Sequence, residues 1–460
     1  MTRRAVKTSR TWSWAAMAVC TLAIARSVAA APALEEVAAG VNIDVGQISV
    51  SGISSGGFMA HQFHVAHSEH VMGAGIVAGG PYYCARGNIL DAVTRCSQFV
   101  MLECAALGLD PKWCRKTDLA PKSRTEIERA ARASFDEAKK QEAAGTISTL
   151  ANLRNDNVYL ISGKYDAIVP QGVMDTVFHF YVDPDKAGMQ EGKVDYNSRF
   201  PARHTMVRDS FDKPVGDVLG ACALPPAPPP PLERNTFIDD CEEVAKQHQK
   251  RNGCICPPSA ASRAATGASC PPRNKKEVCK DLEDVDLAGA MLRHIYGEEA
   301  LKAGRVAVQE SEVQAFDQRR VFSKFSDIPY NALQNASMAR EGYVFIPETC
   351  KEGRPCKLHV AFHGCLQGGT TDFRSGHSGN LFAKYAGYNE WAKANDIIVL
   401  YPQIQARSAS VPLNPQGCWD WWGQDYTHEG YHTKRGKQIK AVAQMINLLG
   451  QKDLLDIPAE

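Results

Sequence analysis

The nine residues Val50-Ser51-Gly52-Ile53-Ser54-Ser55-Gly56-Gly57-Phe58 constrain the fold more than any other part of this chain. They place a Gly-x-Ser-x-Gly pattern, Gly52, Ser54 and Gly56, between two runs of different period. Residues 45–50 alternate apolar and polar side chains as a strand does, whereas 57–66 contain no proline and can be helical. Strand, sharp turn and helix form the context in which this pattern becomes a nucleophile elbow. The turn strains the serine backbone, and the glycines let strand and helix approach closely. The Ser54 hydroxyl then projects at a cleft mouth, with the helix N-terminus facing developing negative charge. An ordinary glycine–serine turn is the competing reading, and a five-residue pattern recurs by chance.

The first thirty residues read as an export signal and stand outside the fold. Arg3, Arg4, Lys7 and Arg10 precede an apolar run from Trp12 to Ala25, and Val28-Ala29-Ala30-Ala31 offers small residues for cleavage. The run is too short to span a bilayer, which disfavours a stable membrane anchor. Removing this segment lowers the basic count from 52 to 47 against 51 acidic residues. A near-neutral, slightly acidic chain argues against a nucleic-acid partner. Fourteen cysteines remain after Cys20, an even number that reads as a disulfide framework in an exported protein. Cys254, Cys256, Cys270 and Cys279 have a spacing that zinc accepts, but oxidising surroundings favour disulfides and no metal is expected.

Further along, 73–80 is a continuous apolar run following the helix, the pattern of a buried parallel strand completing a βαβ unit. Residues 84–150 are richer in charge and cysteine, with a helix over 126–142, and sit where a cap over the cleft fits. Val158 to Gly163 is the next buried strand, leading into Lys164-Tyr165-Asp166. A carboxylate just past a strand's C-terminal end shares the rim with the elbow, so Asp166 is the candidate that orients a base. Capping of the following segment is its competing role. His204, in a loop after the acid, completes the order Ser, Asp, His found in α/β-hydrolases, with His179 as competitor. Residues 217–283 break the pattern with a polyproline run and a polar, cysteine-dense stretch. They read as an insertion in a single domain spanning 31–460.

Two strand signals, 342–347 and 358–362, come late in the chain. The second opens into His363-Gly364-Cys365-Leu366-Gln367-Gly368-Gly369, the kind of loop that builds a second oxyanion donor. Another buried strand spans 396–402, and a helix around 439–449 closes the chain. In the usual arrangement the oxyanion strand precedes the serine. Only about twenty residues of the processed chain precede Ser54, while one β-α-β crossover needs about thirty. A circularly permuted α/β-hydrolase reconciles the order. It has a mostly parallel central sheet, helices on both faces and disulfide-stapled insertions.

These residues resemble the polyhydroxybutyrate (PHB) depolymerase family with a permuted α/β-hydrolase fold. The resemblance rests on 52–59, 159–166, His204-Thr205, Phe237-Ile238-Asp239-Asp240-Cys241, His363-Gly364-Cys365 and Cys418-Trp419-Asp420-Trp421-Trp422-Gly423. It implies Ser54 as nucleophile, His204 as base, Asp166 as its partner, and the amides of Ser55 and Cys365 as oxyanion donors. It also implies a crevice lined by Trp419, with Trp421, Trp422 and Tyr426 as further aromatic candidates; filling the core is the competing role of these rings. The expectation is a secreted or periplasmic, monomeric serine esterase acting without a cofactor on a polyester or 3-hydroxybutyrate oligomers. A feruloyl or acetylxylan esterase of the same fold is the alternative, and a non-catalytic polymer binder the second.

Overall fold

The computed structural model describes residues 31–98, 118–190, 192–200, 202–208, 238–240, 286–301, 303–322, 336–368, 380–407, 414–423 and 430–458. The expected export signal and Tyr426 lie outside these residues, as do the four cysteines of the zinc alternative and all of the 217–283 insertion except 238–240.

Eight strands form one sheet. They are β1 (Asn42–Ile53), β2 (Val71–Val77), β3 (Asn157–Ile161), β4 (Val194–Asn197), β7 (Val313–Asp317), β8 (Glu341–Phe345), β9 (Pro355–Phe362) and β10 (Ile397–Tyr401), in the order β4-β3-β2-β1-β9-β10-β8-β7. Two short strands, β5 (Met206–Arg208) and β6 (Ile238–Asp240), pair separately. Pairing is parallel from β4 through β10, and only β8 and β7 add antiparallel edges.

The apolar runs are continuous because both faces of the sheet are covered. Ile398 and Leu400 face a core shared with the helices Ser55–Ala66, Gln171–Val182 and Lys437–Gly450. Ile397, Val399 and Tyr401 face a second core with the helices Leu287–Tyr296 and Tyr388–Ala394. Each large aliphatic side chain so buried contributes about 1.5–3 kcal/mol, so two-sided burial fixes each strand's place.

The permutation expected from sequence order is visible in the pairing. β9 lies parallel to β1, with Ser51 opposite Ala361 and Gly52 opposite Phe362, although more than three hundred residues separate them. The two ends of the described chain also meet: Gln451 Nε2 donates to the Ala38 carbonyl at 2.9 Å. Cutting a ring of strands open elsewhere costs little where natural ends would lie side by side.

The helix expected over 126–142 spans Arg124–Ala143 and carries a Ser123/Glu126 capping box. Its polar face is solvated, but Ile127, Ala131 and Phe135 are buried, with Phe135 edge-on to Phe180 at 5.4 Å.

Candidate active site

The elbow is a strained turn enforced by its neighbours. Ser54 has φ 57° and ψ −125°, a left-handed backbone that costs a non-glycine residue on the order of 1–3 kcal/mol. Its N–H donates to Val77 at 2.9 Å and its carbonyl accepts from Phe58 at 3.0 Å, so strand and helix both hold it. A Cβ at Gly52 would run into the Gly56 carbonyl, and one at Gly56 into the carbonyls of Phe362 and His363. The two glycines are therefore demanded by close backbone approach. Ser55 opens the helix Ser55–Ala66, and an amide in that first turn has no partner within the helix.

Asp166 lies just beyond β3, on the rim that carries Ser54. Its two carboxylate oxygens make separate contacts. Its Oδ1 accepts from the N–H groups of Ile168 and Val169 at 2.8 and 2.9 Å, capping its own turn. Its Oδ2 lies 2.8 Å from His204 Nδ1. Both side chains are almost wholly buried. A carboxylate only accepts, so Nδ1 carries the ring proton and Nε2 keeps its lone pair. His179 is occupied elsewhere: its Nδ1 bonds Asp183 at 2.8 Å, one turn along the same helix.

The loop 363–368 reaches the serine from the neighbouring strand. A Cβ built on Gly364 would lie 3.3 Å from the Ser54 Cβ. His363, fully buried, shapes this loop: its Nδ1 donates to the Gly364 carbonyl at 2.7 Å and its Nε2 accepts from the Ile404 N–H at 3.0 Å. One donor and one acceptor require a neutral ring, and burial lowers the pKa of His363 to about 4. A disulfide joins Cys365 to Cys418, tying the loop to the aromatic segment; others join Cys84 to Cys96 and Cys350 to Cys356.

No family model matches the sequence. A poly(3-hydroxybutyrate) depolymerase of Delftia acidovorans is 31% identical over 437 residues, covering 94% of this chain and 64% of that protein. A polyhydroxybutyrate depolymerase of Talaromyces funiculosus is 27% identical over 419 residues, covering 89% of each. Among solved structures, a PHB depolymerase in complex with an R3HB trimer superposes with a TM-score of 0.57 at 26% identity, over 92% of this chain and 99% of that one. The PHB depolymerase from Penicillium funiculosum superposes with a TM-score of 0.56 at 25% identity, over 92% and 98%. This chain belongs to the PHB depolymerase family. It spans about two thirds of the length of the Delftia depolymerase, and nearly all of both solved depolymerase chains.

In this depolymerase-family chain the aromatic segment sits deeper than the crevice reading requires. Trp419 is fully buried, edge-on to Phe362 at 4.9 Å and 5.5 Å from the His363 ring. That corrects its expected place: it supports the floor beneath the loop and offers no open face to a ligand. Trp421 stacks on Phe58 at 4.1 Å, and Trp422 meets Trp421 edge-on at 5.8 Å. Both keep only a sliver of exposure, 8% and 7%. Between them and Trp419, Asp420 accepts from the N–H groups of Trp422 and Gly423. Burial pushes its carboxyl up to about 7 against those two bonds. Sequence reasoning passed over His363 and Asp420 as structural determinants; the His-Gly and Trp-Asp-Trp motifs were the available signals.

Among the described residues, Glu69, His70 and Asp456 form a group with metal-ligand spacing. Lys434 Nζ already lies 2.9 and 2.8 Å from the two Asp456 oxygens, so this is a salt-bridged surface cluster.

Buried histidines set an acid limit on the fold of this chain. Burial lowers His61, His67 and His359 to about 3 and His363 to about 4. With folded values below the unfolded 6.5, the unfolded chain binds more protons across pH 6.5 to about 4. Stability therefore falls as pH drops through that window. Asp420, raised toward 7, works in the opposite direction but is a single group. Calorimetry is expected to show Tm falling steadily from pH 6.5 to 4; a flat Tm would contradict this account.

Proposed function

We propose that this chain is an exported serine esterase that hydrolyses polyhydroxybutyrate or its 3-hydroxybutyrate oligomers, and that Ser54, His204 and Asp166 carry the reaction. Two observations support it: the strained Ser54 has Gly364 packed against it, and the buried Asp166–His204 pair follows β3, which runs parallel to β1 in the same sheet. The relatives add the substrate class, since one solved relative is named as complexed with an R3HB trimer. Residues 31–460 act as one catalytic unit, monomeric, with 84–150 as a cap-like segment. Trp421 and Trp422 are the remaining described aromatic candidates beside the bound ester.

In this mechanism Ser54 attacks the ester carbonyl while His204 Nε2 takes the hydroxyl proton. Asp166 holds the Nδ1-protonated tautomer and stabilises the imidazolium that forms. The carbonyl oxygen becomes an oxyanion facing the amides of Ser55 and Cys365. Collapse expels the alkoxide of the next hydroxyacyl unit, which takes the proton back from His204. A water, deprotonated by His204, then opens the acyl-enzyme by the same steps.

The Cys365–Cys418 bridge holds one oxyanion donor in place. Replacing both cysteines with serine is expected to lower kcat about tenfold to a hundredfold, the upper figure matching loss of one donor. A bridge spanning 53 residues contributes about 4 kcal/mol by loop-closure entropy, so Tm falls too. Steady-state kinetics with thermal melts read both effects.

The reading is tested by giving the purified processed chain amorphous polyhydroxybutyrate, 3-hydroxybutyrate trimer and methyl ferulate, with product analysis. Hydroxybutyrate release with little ferulate turnover is the expected result. Ferulate release alone would move the chain to the wall-esterase reading.

A further inference from the structure

Below the rim, the strand bearing Ser54 and the strand leading to Cys365 are joined by buried hydrogen bonds that the proposed chemistry leaves unused. Ser49 and Ser51 occupy one face of β1, and His359 stands opposite Ser49 on β9. Ser49 Oγ lies 2.7 Å from His359 Nδ1 and 2.7 Å from the Tyr296 hydroxyl. Ser51 Oγ lies 2.7 Å from His359 Nε2 and 2.8 Å from the Tyr388 hydroxyl. Tyr296 in turn donates to the Leu358 carbonyl at 2.8 Å. All five side chains are buried.

With the neutral ring that burial favours, the direction of every bond follows from the one carbonyl. Leu358 only accepts, so the Tyr296 hydrogen goes there and Tyr296 must accept from Ser49. Ser49 has then spent its hydrogen and must accept from His359 Nδ1–H. That leaves His359 Nε2 as an acceptor for Ser51, and Ser51 as an acceptor for Tyr388. The imidazole is held neutral in a single tautomer, and burial alone lowers its pKa to about 3.

The clamp sits immediately after an irregularity. Ile43 faces Cys356 while Ile48 faces Leu358, so β1 carries extra residues just before Ser49. Past such a bulge, a register displaced by two residues keeps every side chain on its own face. It would move Ser54 along β9 by about 6.6 Å. Only the observed register gives both imidazole nitrogens a hydroxyl: displacement puts Ile53 or Gln47 where one of the serines stands.

We propose that His359, held by Ser49 and Ser51, is a positioning residue that locks the nucleophile strand in register with the oxyanion-loop strand. It rests on the roles of Ser54 and Cys365 given above. The test uses the processed full chain carrying Ser49→Ala, Ser51→Ala, His359→Gln or His359→Leu. The readouts are kcat and KM on p-nitrophenyl butyrate, thermal melts, and phosphorus NMR of the adduct with a p-nitrophenyl phosphonate. Each serine variant is expected to stay folded and lose about tenfold or more in kcat, as small misplacements of reacting groups do. KM should stay within about twofold, and the single phosphorus line should broaden or split. His359→Gln, whose amide offers one donor and one acceptor, should retain more kcat than His359→Leu. Wild-type kcat and one unchanged phosphorus line in both serine variants would overturn the proposal. So would nitrogen NMR showing His359 protonated at Nε2. Should His359→Leu fail to fold, the serine variants and the two spectra still decide. A Ser54→Ala protein that hydrolyses normally would instead overturn the esterase reading itself.

Discussion

Ser54→Ala is expected to lower kcat on p-nitrophenyl butyrate and on hydroxybutyrate trimer by roughly 10⁴–10⁶, leaving only what binding and oxyanion contacts supply. The fold should survive. Alanine meets the same strained backbone at φ 57°, and the bonds that hold the turn, Ser54 N–H to Val77 and Phe58 N–H to the Ser54 carbonyl, are main-chain. KM, set by contacts outside the hydroxyl, should change little. Wild-type turnover in a correctly folded variant would end the assignment, whatever the similarity to known depolymerases. Treating the native protein with a phosphonate ester should label the same position, which peptide mapping can read.

Asp166→Asn is expected to cost about 10⁴ in kcat through a tautomer and not through unfolding. The amide oxygen of asparagine can still accept from Ile168 and Val169, so the turn after β3 keeps its bonds. The other end of the amide is a donor facing His204 Nδ1, which now has to accept. The ring proton moves to Nε2, where the base lone pair is needed. Circular dichroism should be unchanged and Tm nearly so, while kcat collapses at every pH below the alkaline limit. A loss smaller than about tenfold would mean that Asp166 only caps its turn, and that some other group orients His204.

The elbow was the most legible part of the site, because its demands are local. A positive φ at a serine and glycines against neighbouring carbonyls follow from one turn, and the strand and helix periods on either side mark where that turn must be. Strands β2, β3, β9 and β10 were equally plain, since burial on both faces leaves them almost no polar positions. The edge strands β4 and β7 and the helix Gln171–Val182 gave weaker signals. A half-covered edge tolerates polar residues such as Asp195 and Gln314, and its pattern blurs. Trp419 shows the opposite failure. A large aromatic in a motif looks the same whether its ring faces a ligand or the underside of a loop, and only packing against Phe362 and His363 tells them apart.

From its sequence alone, then, the chain determined that a strand–turn–helix would strain Ser54, that buried parallel strands would dominate, and that their order was permuted. The first two depend on residue type and spacing over ten to thirty positions, and the third on the order of the motifs along the chain. Tertiary structure decided which histidine meets Asp166, how close Gly364 comes to Ser54, and which tryptophans stay near the surface. These are distances between segments far apart in the chain, fixed when two cores close on both faces of one sheet, and no local period encodes them.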